Sequence, residues 1–157
     1  MARGTVRGIH LAPDAGEPME TVESVEAVAG RGLRGDRYFH ERGSYDRRED
    51  LPEGTDVSLI ELEALEALER DYDTLLTPVE TRRNVATEGV ALNHLVDREF
   101  AVGGARFRGV RLCEPCSYME SKAGAEGAVA GLTHRGGLNA NVVASGTISV
   151  GDPVEVP

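Results

Sequence analysis

Beyond Pro78 the chain breaks into short apolar runs punctuated by glycine, and this texture restricts the fold more than any other feature. Arg82 to Thr87 is one run, and Glu99 to Val102 leads through Gly103-Gly104 into Ala105 to Leu112. Leu138 to Ala144, Ser149-Val150 and Val154 to Val156 follow, joined by Gly146 and by Gly151-Asp152-Pro153. Short strands with regular glycine turns predict a mainly β fold, a closed or nearly closed antiparallel barrel with a few short helices attached.

Upstream, Thr5 to Leu11 alternates weakly and stops at Pro13, while Thr21 to Ala29 alternates through Val22, Val25 and Val28 into a glycine-rich turn. One helix is clear. Ser58 and Glu61 have capping-box spacing, and Leu62, Leu65, Leu68 and Tyr72 recur at helical intervals. Glu61, Glu63, Glu66 and Glu69 are expected on its wet face. The densely charged stretch 40–54 is expected to be an exposed loop, too short to link two cores. A single domain over residues 1–157 is therefore predicted.

Charge narrows the function. Twenty-seven acidic residues face 17 basic ones, and Lys122 is the only lysine. Such a surface resembles that of haloarchaeal proteins, where carboxylates keep the surface hydrated at high salt; a GC-rich genome replacing Lys by Arg gives a similar composition. A net charge of −10 argues against nucleic-acid or membrane partners. No stretch is long enough to span a bilayer, and Met1-Ala2-Arg3-Gly4 lacks the apolar core of a signal peptide, so a cytoplasmic location is expected.

Both cysteines lie in Arg111-Leu112-Cys113-Glu114-Pro115-Cys116-Ser117-Tyr118-Met119-Glu120. Cys113 ends an apolar strand, Pro115 stiffens the exit, and Cys116 precedes a potential short helix, Ser117 to Lys122. A thiol facing a helix N-terminus is biased toward thiolate, the form that attacks sulfur, carries a persulfide or binds a soft metal. Two small buried hydrophobes, or half a zinc site, are the competing readings.

Three other patches carry donors. Gly30-Arg31-Gly32-Leu33-Arg34-Gly35-Asp36-Arg37 combines glycines that expose backbone N–H groups with three arginines, an anion-binding composition; a plain turn with a structural Asp36–Arg37 pair is the alternative. In Glu80-Thr81-Arg82-Arg83-Asn84, a strand would put Arg82 and Asn84 on one face as a fork for phosphate or carboxylate, leaving Arg83 on the other. Thr133-His134-Arg135-Gly136-Gly137, followed by Asn139 and Asn141, adds further donors, although a lone His here reads first as a hydrogen-bonded loop residue. His10, His40, His94 and His134 show no metal-ligand spacing.

Five segments occur in an order that resembles the MOSC domain, the C-terminal domain of molybdenum-cofactor sulfurase, also found as small stand-alone proteins. They are Gly32-Leu33-Arg34-Gly35-Asp36-Arg37, Arg82-Arg83-Asn84-Val85-Ala86-Thr87-Glu88-Gly89, Phe100-Ala101-Val102-Gly103, Cys113-Glu114-Pro115-Cys116, and Gly146 through Gly151-Asp152. The resemblance spans about residues 4–156.

The resemblance implies a barrel-like fold and a role in molybdenum-cofactor chemistry. A cysteine at the place of Cys116 would carry sulfur as a persulfide, or ligate molybdenum in members that reduce N-hydroxylated compounds. Arg34, Asp36, Arg37, Arg82, Asn84, His134 and Arg135 would face the pterin phosphate and dithiolene. Cys113 is outside the general family pattern and would either resolve a persulfide on Cys116 or simply pack. No pyridoxal-phosphate site is expected within these residues. A cysteine desulfurase would supply sulfur, or an electron-transfer protein would supply electrons for a small N-oxygenated substrate. An inert binding module is the remaining alternative.

Overall fold

In the computed structural model, residues 2–12, 18–36, 56–114 and 127–157 are described. Eleven strands occur among them: β1 (Ala2–Leu11), β2 (Glu20–Val22), β3 (Ser24–Val28), β4 (Gly32–Leu33), β5 (Val57–Glu61), β6 (Val85–Glu88), β7 (Glu99–Val102), β8 (Ala105–Leu112), β9 (Leu138–Ala144), β10 (Gly146–Ser149) and β11 (Pro153–Val156). Two α-helices join them, α1 (Leu62–Tyr72) and α2 (Ala128–Leu132), with 3-10 turns at Val79–Thr81 and Leu92–Leu95.

Seven strands close into a ring in the order β1-β11-β7-β8-β9-β5-β6 and back to β1. Closure is made by the first and last strands, with Ala2 opposite Val156 and Thr5 opposite Pro153. A closed ring leaves no open edge to aggregate. β2 extends the far end of β1, and β10, β3 and β4 form a separate three-stranded sheet. Among these strands, every pairing is antiparallel except β5 with β6. There α1 carries the chain back along the wall, the long crossover that a parallel neighbour requires.

Alternation decides what each strand buries. In β8, Ala105, Phe107 and Gly109 point inward while Arg106 and Arg108 face water. Phe107 meets its register partner Phe100 edge-to-face, with ring centroids 5.9 Å apart. These rings join Val6, Ile9, Leu59, Leu138 and Ile148 in the main core. A second core lies outside the barrel, where Ile60 and Ala86 meet Leu65, Leu68 and Leu132 of the helices.

Four local expectations are corrected. The segment from Thr21 to Ala29 is two strands, because Val22 pairs with Ile9 on the barrel whereas Val25 pairs with Ile148 in the small sheet. Ser58 and Glu61 form no capping box. Ser58 lies within β5, and Glu61 is the N-cap without a side-chain cap bond. Glu61 and Glu63 are also not simply solvated, since they accept the N–H groups of Leu92 and Gly89 at 3.1 and 2.7 Å. Burial pushes the Glu61 carboxyl up. Finally, the run from Arg82 begins as a strand only at Val85. Thr81 ends a 3-10 turn, and Arg82 is left-handed at φ 61°. The charged loop 40–54 and the short helix expected from Ser117 lie outside the described residues.

Candidate functional site

β8 delivers Cys113 to one end of the barrel. Leu112 is opposite Leu138, and the Cys113 N–H continues the ladder by donating to the Gly137 carbonyl at 2.8 Å. Gly137 sits at φ 118°, and a Cβ there would lie 2.1 Å from the Leu59 carbonyl oxygen. Only glycine lets this turn touch β5. Cys113 itself is half-buried.

Arg83 fastens this junction. Its Nε donates to the Gly136 carbonyl at 2.8 Å and its Nη1 to Thr81 at 3.1 Å. Nη2 reaches the carbonyls of Cys113 and Glu114 at 3.4 and 3.3 Å. One rigid guanidinium thus ties the β8 exit to the 133–137 turn. The strand-parity expectation is therefore overturned. The left-handed turn at Arg82 breaks the alternation, so Arg83 points to the cysteine segment and Arg82 and Asn84 do not share a strand face.

The same turn is held from a second side. Glu114 accepts the His134 N–H at 2.7 Å, and its other oxygen lies 2.9 Å from His134 Nδ1. The His134 N–H, followed by the ring contact, holds the Glu114 carboxyl below the usual range. Asn93 Nδ2 donates to the His134 carbonyl at 2.7 Å. These tethers sustain the left-handed backbone of His134, at φ 64°. Arg135, next in the chain, is exposed and electrostatically opposes the upward push on Glu61.

Asn84 is buried and bonded at both ends of its amide. Its Oδ1 accepts the Ser58 N–H at 3.0 Å, and its Nδ2 donates to the His10 carbonyl at 3.1 Å and to Asp36 Oδ1 at 3.2 Å. Asp36, also buried, accepts the Ala12 N–H at 2.9 Å. This network joins β1, β5, β6 and the loop after β4. Arg34 is exposed and pairs with Glu26 at 2.7 Å. Cys116 and Arg37 lie outside the described residues.

Beside the β8 exit, register aligns Ser58, Asn139 and Arg111 across β5, β9 and β8. They alternate with the inward Leu59, Leu138 and Leu112, so they belong to the outer wall. Among the described residues, no cluster of three or more His, Cys, Asp or Glu could hold a metal ion. The region can instead fix the geometry of the chain entering the Cys-x-x-Cys segment and present arginine to an anion. Arg83 and Glu114 were not among the residues expected to matter. Nothing local in Arg82-Arg83 reveals which arginine turns inward, because the answer rests on the backbone at Arg82.

A closed seven-stranded barrel, with Cys113 leaving one strand end under an arginine clamp, defines the class: a mainly β barrel domain. The profile of the MOSC domain matches residues 46–155, and the chain belongs to the MOSC domain family, a family associated with molybdenum-cofactor sulfurase-like proteins. The fold is similar to that of YuaD protein from Bacillus subtilis, with a TM-score of 0.77 at 19% identity, covering 98% of this chain and 95% of that one. It is also similar to YiiM from Geobacillus stearothermophilus, with a TM-score of 0.72 at 16% identity over 98% and 75% of the two chains. For YiiM from Escherichia coli the TM-score is 0.69 at 17% identity, over 100% and 70%. No curated protein sequence matches the chain significantly. No helix among the described residues is long and apolar enough to cross a membrane.

Proposed function

We propose that this protein works in molybdenum-cofactor chemistry through the thiolate of Cys116, holding the cofactor and reducing N-hydroxylated compounds with electrons from a partner protein. The observation that carries this reading is the Arg83 clamp, which fixes the carbonyls of Cys113 and Glu114 at the entry to the cysteine segment. A barrel end built this way fixes the direction in which the chain leaves β8, beside the wall that displays Ser58, Asn139 and Arg111.

The residues present fit the group. A thiolate suits molybdenum, and Arg82, Arg34, Arg37 and Arg135 suit a phosphorylated pterin. Asp36 Oδ1 and the Asn84 amide already bond protein partners, so their part is to fix the backbone beside Arg34 and Arg82. His134 would act similarly, through Glu114. When bound, the cofactor would supply two-electron redox chemistry. The chain's own residues would orient it and neutralise its phosphate. An alternative use of the same thiol is sulfur relay, in which the Cys116 thiolate takes sulfane sulfur from the persulfide of a cysteine desulfurase, and Cys113 then attacks Cys116 to form a disulfide and release hydrosulfide.

The test is elemental analysis of protein made in a host that synthesises the cofactor, comparing wild type with Cys116→Ser. Molybdenum near one per chain, lost in the variant, is expected. Cyanide-labile sulfur without molybdenum would replace the reductase reading by sulfur relay. Zinc in place of both, lost equally in Cys113→Ser, would refute the proposal.

A further inference from the structure

β2 is the least secured strand of the large sheet. It has three residues, leaves Glu20 and Thr21 exposed, and among the described strands pairs only with the far end of β1. Beneath it lies His10, buried with 6% of its surface exposed. The His10 N–H donates to the Asn84 carbonyl at 2.7 Å, and the His10 carbonyl accepts Asn84 Nδ2 at 3.1 Å. The His10 backbone therefore turns to Asn84 and away from β2. That makes His10 and Thr21 a non-hydrogen-bonded pair, the kind whose side chains approach most closely. Accordingly, His10 Nδ1 lies 3.1 Å from Thr21 Oγ1.

The other ring nitrogen is sealed in. Nε2 is buried and has no hydrogen-bond partner among the described residues. A Cβ on Gly8 would lie 3.0 Å from it, so the ring occupies space that glycine leaves and no water fits on that side. Either neutral tautomer therefore leaves Nε2 unbonded. The imidazolium is worse placed, because both nitrogens then carry N–H groups and only Nδ1 has an acceptor. Burial accordingly pushes the imidazole down. Neighbouring charges do not offset this. Arg7 and Glu23 line the cleft beside the ring, and Arg7 is held by Glu88 at 2.8 Å. From α1, the 77–79 segment and β6 come Leu62, Thr77, Val79 and Ala86, all uncharged.

A charged ring must reach water, and the exposed element lying over it is β2. We propose that the His10–Thr21 pair is an acid-operated clasp: when the imidazole takes up a proton the ring leaves its pocket and β2 comes off β1, while the seven-stranded ring stays closed. Asn84 holds the His10 backbone in place during this movement. The pairs that close the ring, from Ala2 with Val156 to Thr5 with Pro153, lie at the other end of β1. Local release also disturbs less than global unfolding, since only three register pairs are lost. Ile9 and Leu11 then present unpaired backbone groups, an open edge that another extended chain can join. The clasp does not rest on the cysteine chemistry proposed above.

The test is amide hydrogen exchange followed by NMR at about pH 7.5 and about pH 5.5, read as protection factors. A ring freed into water titrates at its ordinary 6.5, so the open form gains about tenfold between these two conditions. Protection of the Val22 amide should fall by that factor. It should also lie below that of the Phe107 amide in both conditions, as expected if the barrel stays closed. His10→Gln should abolish the response. Thr21→Val, at an exposed position and therefore safe for folding, should lower Val22 protection about fivefold at the higher pH and keep the response. Glu23→Gln should also keep it. The proposal is overturned if Val22 protection is the same in both conditions, or if Val22 and Phe107 share one protection factor. It is equally overturned if Thr21→Val leaves Val22 protection unchanged, or if Glu23→Gln rather than His10→Gln removes the response.

Discussion

Replacing Arg83 with methionine removes the clamp while keeping most of the aliphatic stem. The Nε contact at 2.8 Å is the strongest of the four, Nη1 at 3.1 Å is ordinary, and the two from Nη2 at 3.3 and 3.4 Å share one nitrogen. Hydrogen bonds to a charged group are each worth about 1.5–3 kcal/mol net, but this site is half-buried and water would recover part of the loss. Counting the first contact as about 1.5 kcal/mol, the second as about 1 and the shared pair as about 0.5 gives roughly 3 kcal/mol. In a domain of this size that lowers Tm by roughly 6–12 °C.

The loss should be local before it is global. The Cys113 amide, bonded to Gly137, should exchange with solvent on the order of 100-fold faster, the factor equivalent to about 3 kcal/mol. The Phe107 amide, inside the barrel, should follow only the change in global stability. Arg83→Lys should recover little, because an ammonium lacks the planar fork that reaches opposed carbonyls. Unchanged protection at Cys113, with a Tm shift below about 2 °C, would refute the clamp.

Two further outcomes follow from the same network. Asn84→Leu strands the Ser58 N–H, the His10 carbonyl and one Asp36 bond inside the protein, and should lower stability by about 3–5 kcal/mol in chemical denaturation. Acid titration should expose His10. Its folded pKa lies below the ordinary value of 6.5, so below pH 6.5 the unfolded chain binds the extra proton and stability falls as pH drops. Glu61, whose raised pKa makes the folded state bind more protons above 4.5, opposes this trend, and Glu114 loses its contribution only below 4.5. His10→Phe should flatten the slope between pH 6.5 and about 5, measured as Tm against pH.

Much of the barrel was legible from local pattern. Glu99–Val102, Ala105–Leu112 and Leu138–Ala144 have the bounds that alternation and flanking glycines suggested. Such strands announce themselves because one face is buried along their whole length. Helix α1 was also visible from its Leu65 and Leu68 spacing, though it starts later than a capping-box reading implies. Helix α2 was not visible, because five residues carry no period. It exists because Gly131 lets it close on α1, where a Cβ would meet Leu68 Cδ1 at 2.2 Å.

The site was harder to read for a physical reason. Its polar residues answer to partners far along the chain: Asn84 to His10 and Asp36, and Arg83 to Cys113 and Gly136. Composition could mark arginines and glycines as donors. It could not say that Asn84 would be consumed by the backbone, or that one left-handed residue would exchange the roles of Arg82 and Arg83.

The seam between β1 and β11 sets a schedule for folding. Ala2, in the first strand of the ring, has its partner at Val156 in the last, so the ring cannot close until β11 has been made. Until then β1 has β6 along only part of its length, and β7 has lost one neighbour. Pairing across nearly the whole chain gives high contact order and a slow final step, with open strand edges exposed to other nascent chains meanwhile. The adjacency also offers a remedy. A short linker joining the two strand ends, with new termini placed in a surface turn such as Gly103-Gly104, would make the seam local and should speed closure.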